Sequence, residues 1–104
     1  MRGATVLIVD DHRLFAQAIR SVLEQSGTEE VEVAGSGDEA VRLAARRRPT
    51  IALVSLTLAE TGGDDGIRIG ERILAEAPTT RVLGMAGSDE IVKIARALAS
   101  GFQG

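Results

Sequence analysis

Residues 6–15 read Val6-Leu7-Ile8-Val9-Asp10-Asp11-His12-Arg13-Leu14-Phe15, an unbroken apolar run that meets two adjacent carboxylates and then a helical pattern. A continuous apolar run of this length is typical of a strand that is buried on both faces of a parallel sheet. Open α/β sheets bind their ligands beyond the carboxyl ends of such strands. The stretch therefore predicts a buried first strand, with Asp10 and Asp11 at the ligand-binding edge of the sheet.

The two acids and the histidine beside them each have two interpretations. Adjacent carboxylates repel each other and are costly to desolvate, which favours a pocket where a cation offsets that cost. The alternative is that Asp10 and Asp11 form a solvated turn and cap the next helix. His12, the single histidine, either ligates a metal or accepts a proton, or it is a partly exposed residue of the first helical turn.

The rest of the chain alternates helices with strands. After a first strand over 5–10, helices are predicted over 13–25, 36–47, 66–76 and from 88 onward, and strands over 31–34, 51–56 and 81–86. Gly27 suits the end of the first helix, and Ser36 with Glu39 forms a capping box. This alternation implies right-handed crossovers and a mostly parallel sheet. One apolar stripe of the first helix is expected to face the core: Leu14, Phe15, Ala18, Ile19, Val22 and Leu23.

Composition narrows the class of protein. The 104 residues suffice for one small domain with a core. Cysteine is absent, which excludes a disulfide scaffold and a cysteine-ligated zinc site. A formal charge of −3 and only two aromatic residues argue against nucleic-acid binding by this segment. No apolar run is long enough to span a bilayer and no signal peptide is recognisable, so a cytoplasmic location without membrane partners is expected.

Several blocks of sequence share their order and spacing with one known family. The blocks are 10–15 (Asp-Asp-His-Arg-Leu-Phe), 18–24, 31–34, 36–40, 48–49, 51–56, 65–67, 82–86 and 97–101. They resemble the receiver domains of bacterial response regulators, most closely the subfamily joined to a LuxR/NarL-type helix-turn-helix. The resemblance implies a flavodoxin-like α/β fold, a three-layer sandwich with a parallel sheet in the order 2-1-3-4. The family's fifth strand and helix would follow Gly104, so residues 1–104 are expected to form one receiver-like domain with an incomplete C-terminus.

The resemblance also assigns expected roles to site residues. In the family, a histidine kinase transfers a phosphoryl group to an aspartate at the end of the third strand, beside Mg²⁺. The aligned residue here is Ser55, which is not an anion and has no evident general base. Asp10, Asp11 and the carbonyl of Thr57 would remain as ligands of a weakened magnesium site, because Ser55 removes one carboxylate. The family's switch hydroxyl at the end of the fourth strand is replaced by Ala86.

These departures predict a degenerate receiver of a two-component system, which is a regulatory and interaction module and not an enzyme. The resemblance implies a histidine kinase or another signalling protein as partner, and DNA contact only through a domain absent from this chain. Without a fifth strand, the strand over 81–86 would be an uncovered edge and the helix over 88–99 would lack a neighbour, so a homodimer is expected there, where the family also dimerises. One alternative is a working phosphorelay receiver with a different acceptor or a small ligand. Another is a metal-dependent phosphoryl-transfer enzyme, for which the adjacent Asp10 and Asp11 have the wrong spacing.

Overall fold

The computed structural model describes residues 4–55 and 66–85. In chain order the elements are β1 (Thr5–Val9), α1 (Arg13–Gln25), β2 (Glu30–Ala34), α2 (Gly37–Arg47), β3 (Ile51–Ser55), α3 (Gly66–Glu76) and β4 (Arg81–Met85). All three strand pairings are parallel, and the strand order is β2-β1-β3-β4. The predicted flavodoxin-like sheet order is thus confirmed. The helix predicted from residue 88 lies outside the described residues.

The sheet is the middle of three layers. Successive side chains of a strand point to opposite faces, so Val6 and Ile8 of β1 pack in the cluster that contains α1. Leu7 and Val9 pack on the other face, in the cluster that contains α2 and α3. Every residue of β3 is buried, which explains its nearly continuous apolar sequence. Over 4–55 and 66–85, no helix is long and apolar enough to cross a membrane.

Local signals at the helix ends act as the sequence predicted, with one difference in detail. The Ser36 hydroxyl accepts a hydrogen bond from the Glu39 amide at 3.2 Å, as an N-cap residue should. The Glu39 carboxylate accepts its bond from the Gly35 amide at 2.9 Å, one residue before the cap. Gly27 follows α1 with φ +90°, a left-handed conformation that glycine adopts with little steric cost.

The predicted inward stripe of α1 was wrong for four of its six residues. The residues of α1 that are buried are Ala16, Ile19 and Leu23, spaced so that they share one stripe of the helix. Leu14, Phe15 and Val22 are 84%, 44% and 38% exposed, and Ala18 is exposed as well. At 3.6 residues per turn the two apolar stripes lie about 120° apart. Hydrophobic periodicity alone could not show which of the two stripes is buried. The buried stripe is the one that contains Ala16, whose small side chain lets the helix lie close to the sheet.

Candidate functional site

The carboxyl ends of β1 and β3 bring two polar residues to the same edge of the sheet. Val9 and Val54 are register partners in these adjacent strands. The next residues are Asp10, which directly follows β1, and Ser55, which is the last residue of β3. The Asp10 amide donates to the Ala34 carbonyl at 3.1 Å, which holds its backbone against β2. Asp10 and Ser55 are both 2% exposed. The chain therefore places a buried carboxylate beside the strand end where the resemblance expects a phosphoryl acceptor.

His12 contacts both acids. Asp10 Oδ1 accepts a hydrogen bond from the His12 amide at 3.0 Å and lies 3.2 Å from the imidazole Nδ1. The same Nδ1 lies 3.1 Å from Asp11 Oδ1. His12 is the N-cap residue of α1, and its side chain makes no capping hydrogen bond. The alternative of two solvated, helix-capping acids is thus wrong for Asp10, which is buried and binds His12 instead.

Exposure differs sharply across this cluster. The side chain of Asp10 is 1% exposed, that of Asp11 29% and that of His12 59%. The imidazole also meets the ring of Phe15 edge to face, with the ring centroids 5.9 Å apart and the planes at 73°. Sequence reasoning missed this contact because it assigned Phe15 to the core, although residues three apart on a helix are neighbours. The result is a site that is closed at Asp10 and open to solvent at His12.

The electrostatics of the cluster favour a cation. Within residues 4–55 and 66–85, the only hydrogen-bond donors to the Asp10 side chain belong to His12, and both bonds go to Oδ1. No arginine there forms an ion pair with Asp10, for which His12 is the described partner. Since a buried charge is stable only when it is paired or metal-bound, the carboxylate edge is suited to a positive ion.

Magnesium fits this donor set only in part. Asp10 and Asp11 would hold the ion through carboxylate oxygens, and the ion would supply positive charge beside the end of β3. Ser55 presents a neutral hydroxyl group where a third carboxylate would be needed, and Mg²⁺ binds through hard, charged oxygens in a demanding octahedral geometry. Thr57 and Ala86, the other residues expected at this edge, lie outside the described ranges.

Comparison with known proteins identifies what the chain resembles. The family described as the response regulator receiver domain matches residues 6–104. The signal receiver domain of a modulated diguanylate cyclase from Desulfovibrio desulfuricans G20 is 35% identical with a TM-score of 0.73. That similarity covers 94% of this chain and 76% of the solved one.

Two curated relatives place such a domain in longer proteins. Protein-glutamate methylesterase/protein-glutamine glutaminase 3 of Hahella chejuensis is 36% identical over 78 residues, which are 75% of this chain and 22% of the relative. A putative transcriptional regulator of Pseudomonas aeruginosa is 29% identical over 99 residues, which are 95% of this chain and 46% of the relative. The chain thus spans less than half the length of either relative.

Proposed function

This chain belongs to the family of response regulator receiver domains, and we propose that it is a regulatory module that acts by protein interaction without phosphorylation of an aspartate. Receiver domains are regulatory, and they interact with kinases and other signalling proteins. One observation carries the proposal: Ser55, 2% exposed at the end of β3, occupies the position where the family resemblance places the phosphoryl acceptor.

The chemistry of Ser55 separates it from an aspartate acceptor. A carboxylate attacks phosphorus as an anion, whereas a serine hydroxyl needs a general base to remove its proton. The one histidine of the chain is engaged by Asp10 and Asp11 at 3.2 Å and 3.1 Å. Burial also removes the Ser55 hydroxyl from the reach of a solvent-borne phosphodonor. The pocket therefore retains acidic residues of a receiver without its nucleophile.

Acetyl phosphate with Mg²⁺ is expected to leave the mass of the chain unchanged, because no accessible anionic acceptor remains at the end of β3. Intact-mass spectrometry detects a phosphoryl group as a gain of about 80 Da, and a receiver with an intact aspartate acceptor serves as the positive control. An adduct in high yield contradicts the proposal. Hydroxylamine then distinguishes the acceptor, since it cleaves an acyl phosphate on Asp10 or Asp11 and leaves a phosphoserine in place.

The relatives and the sequence blocks support a proposal about the output of the protein. We propose transcription regulation in the cytoplasm through a LuxR/NarL-type DNA-binding domain outside this chain. In support, the match to the putative transcriptional regulator covers 95% of this chain but 46% of that relative, which leaves room for an output domain there. A formal charge of −3 is unsuited to DNA contact by the receiver itself.

Self-association is proposed through the β4 edge. Val82 and Leu83 are partly buried and Gly84 is exposed, and β4 ends the described sheet opposite β2. We propose that a second copy pairs with β4 by strand addition, and light scattering coupled to size exclusion is then expected to show the mass rising with concentration. The rise should run from 10.9 kDa toward about twice that value, as a symmetric dimer requires. A constant monomer mass at high concentration would contradict the dimer.

A further inference from the structure

The two faces of the sheet differ in how many of their strands a described helix covers. On one face, α2 packs against β1 and β2, and α3 packs against β3 and β4. On the other, α1 packs against β1 and β2, and no helix within residues 4–55 and 66–85 covers β3 and β4. Because strands lie about 4.8 Å apart and a helix is about 10 Å wide, one helix covers about two strands. The half of the α1 face formed by β3 and β4, here called the β3–β4 half, therefore lacks a described helix.

The apolar residues of the β3–β4 half are nevertheless buried. Leu53 and Met85 belong to the same cluster as α1, and both are 0% exposed. Met85 lies in β4, the outermost strand of the described sheet on this side, two strand spacings or about 10 Å from β1. Since α1 packs against β1 and β2, it lies too far from that edge to bury Met85 completely. Another part of the chain must cover it.

The opposite face of β4 shows the reverse pattern. Gly84 pairs in register with Val54, which belongs to the cluster of the α3 face, and Gly84 is exposed. Lower on the same strand, a Cβ atom at Gly70 of α3 would lie 3.2 Å from Cγ1 of Val82, so α3 already lies in close contact with β4. The additional cover of β4 is therefore on the α1 face.

Residues 86–104 are the part of the chain that can supply this cover, because they directly follow β4. Residues 56–65 instead connect β3 to α3 on the opposite face. The helix predicted over 88–99 would be about 18 Å long, close to the length of about 17 Å expected for a five-residue strand such as β4. Its apolar residues have the spacing of one helical stripe: Ile91, Ile94, Ala95 and Leu98.

We propose that residues 88–99 dock as a helix on the β3–β4 half of the α1 face, beside α1 and not beside α3. The two residues 86–87 are a connection of ordinary length between a strand and a helix. Docking buries the apolar stripe of the helix against the sheet and leaves Lys93 and Arg96, on its other side, in solvent. The backbone edge of β4 stays open to a second copy, and the inference does not rest on the assignment of Ser55.

Methyl NMR of the unmodified chain tests the face on which the helix docks. Val82 and Leu83 are the matched comparison, because these neighbours in β4 pack against clusters on opposite faces of the sheet. Nuclear Overhauser effects are expected from the methyl groups of Ile91 and Ile94 to those of Leu83 and Met85. None is expected from Ile91 or Ile94 to Val82.

Chemical crosslinking provides a second measurement, because the chain has no cysteine of its own. A short bismaleimide is expected to join the cysteines of the double variant Leu83→Cys/Ile94→Cys within one molecule in high yield. Val82→Cys/Ile94→Cys is the control, since it moves one cysteine by a single residue to the opposite face, and it should give little product. Circular dichroism shows whether each variant is folded before it is crosslinked.

Three results would overturn the docking. These are Overhauser effects from Ile94 to Val82, no effect from the segment to Leu83 or Met85, or equal crosslinking of the two double variants. A mixture of labelled and unlabelled chains identifies the molecule that supplies the helix. Effects that arise only between molecules would show that a second copy covers the β3–β4 half, which also contradicts the proposal. None of these results alters the outcome expected with acetyl phosphate, so a failed docking and a failed assignment of Ser55 are distinguishable.

Discussion

Replacing Leu23 with alanine is expected to lower the free energy of unfolding by about 3 kcal/mol, a large part of the stability of a small domain. Leu23 is fully buried and packs in the cluster between α1 and the sheet. Its truncation removes apolar contacts and leaves a cavity that rigid β-strands beneath it cannot fill. Urea denaturation followed by circular dichroism measures the change as a lower midpoint with an unchanged slope.

Leu14→Ala is the matched control, because it makes the same chemical change on the same helix. Leu14 is 84% exposed, so its truncation should change the free energy of unfolding by less than about 0.5 kcal/mol. Equal losses at Leu14 and Leu23 would mean that α1 presents the wider apolar stripe to the core, as periodicity alone suggested. The pair thus tests the rotation of α1 about its own axis.

Ser55→Asp is expected to make the thermal stability of the chain depend on magnesium. The new carboxylate would lie at the end of β3 next to buried Asp10, and an uncompensated buried charge costs about 3 kcal/mol. A third carboxylate also completes the oxygen donors that Mg²⁺ prefers. We expect the magnesium dissociation constant to fall at least about tenfold from a wild-type value near or above about 1 mM, as one more charged ligand should allow.

Thermal unfolding with and without Mg²⁺ measures both effects. Ser55→Asp should unfold at a lower temperature than the wild type without the ion. At a Mg²⁺ concentration about 100 times the dissociation constant, it should regain about 2.7 kcal/mol by binding linkage. Ser55→Asn, which is similar in size but uncharged, is the control and should gain nothing from magnesium beyond the wild type. Equal responses of the aspartate and asparagine variants would exclude a shared site for Asp10 and residue 55.

The amino-acid sequence alone determined the kind and order of the elements. The apolar runs of β1 and β3 require burial on two faces, and the alternation with helices requires parallel crossovers. Ser36 marks the start of α2 and Gly27 follows the end of α1, as predicted, because capping depends on residues within one turn. Strand ends were less certain: the prediction carried the first strand through Asp10, whereas β1 ends at Val9, since pairing with neighbouring strands decides where a ladder stops.

Only the tertiary structure decided which apolar stripe of α1 is buried and how the acids are arranged. Leu14 and Leu23 are equally apolar, but only Leu23 is buried. Which of them faces the sheet depends on how closely α1 packs against it, and the local sequence pattern does not contain that information. The sequence shows Asp10, Asp11 and His12 as neighbours, but their adjacency does not reveal that Asp10 is buried and His12 exposed. That difference arises because β1 lies between β2 and β3, whose strand ends enclose Asp10, whereas the start of α1 carries His12 out to solvent.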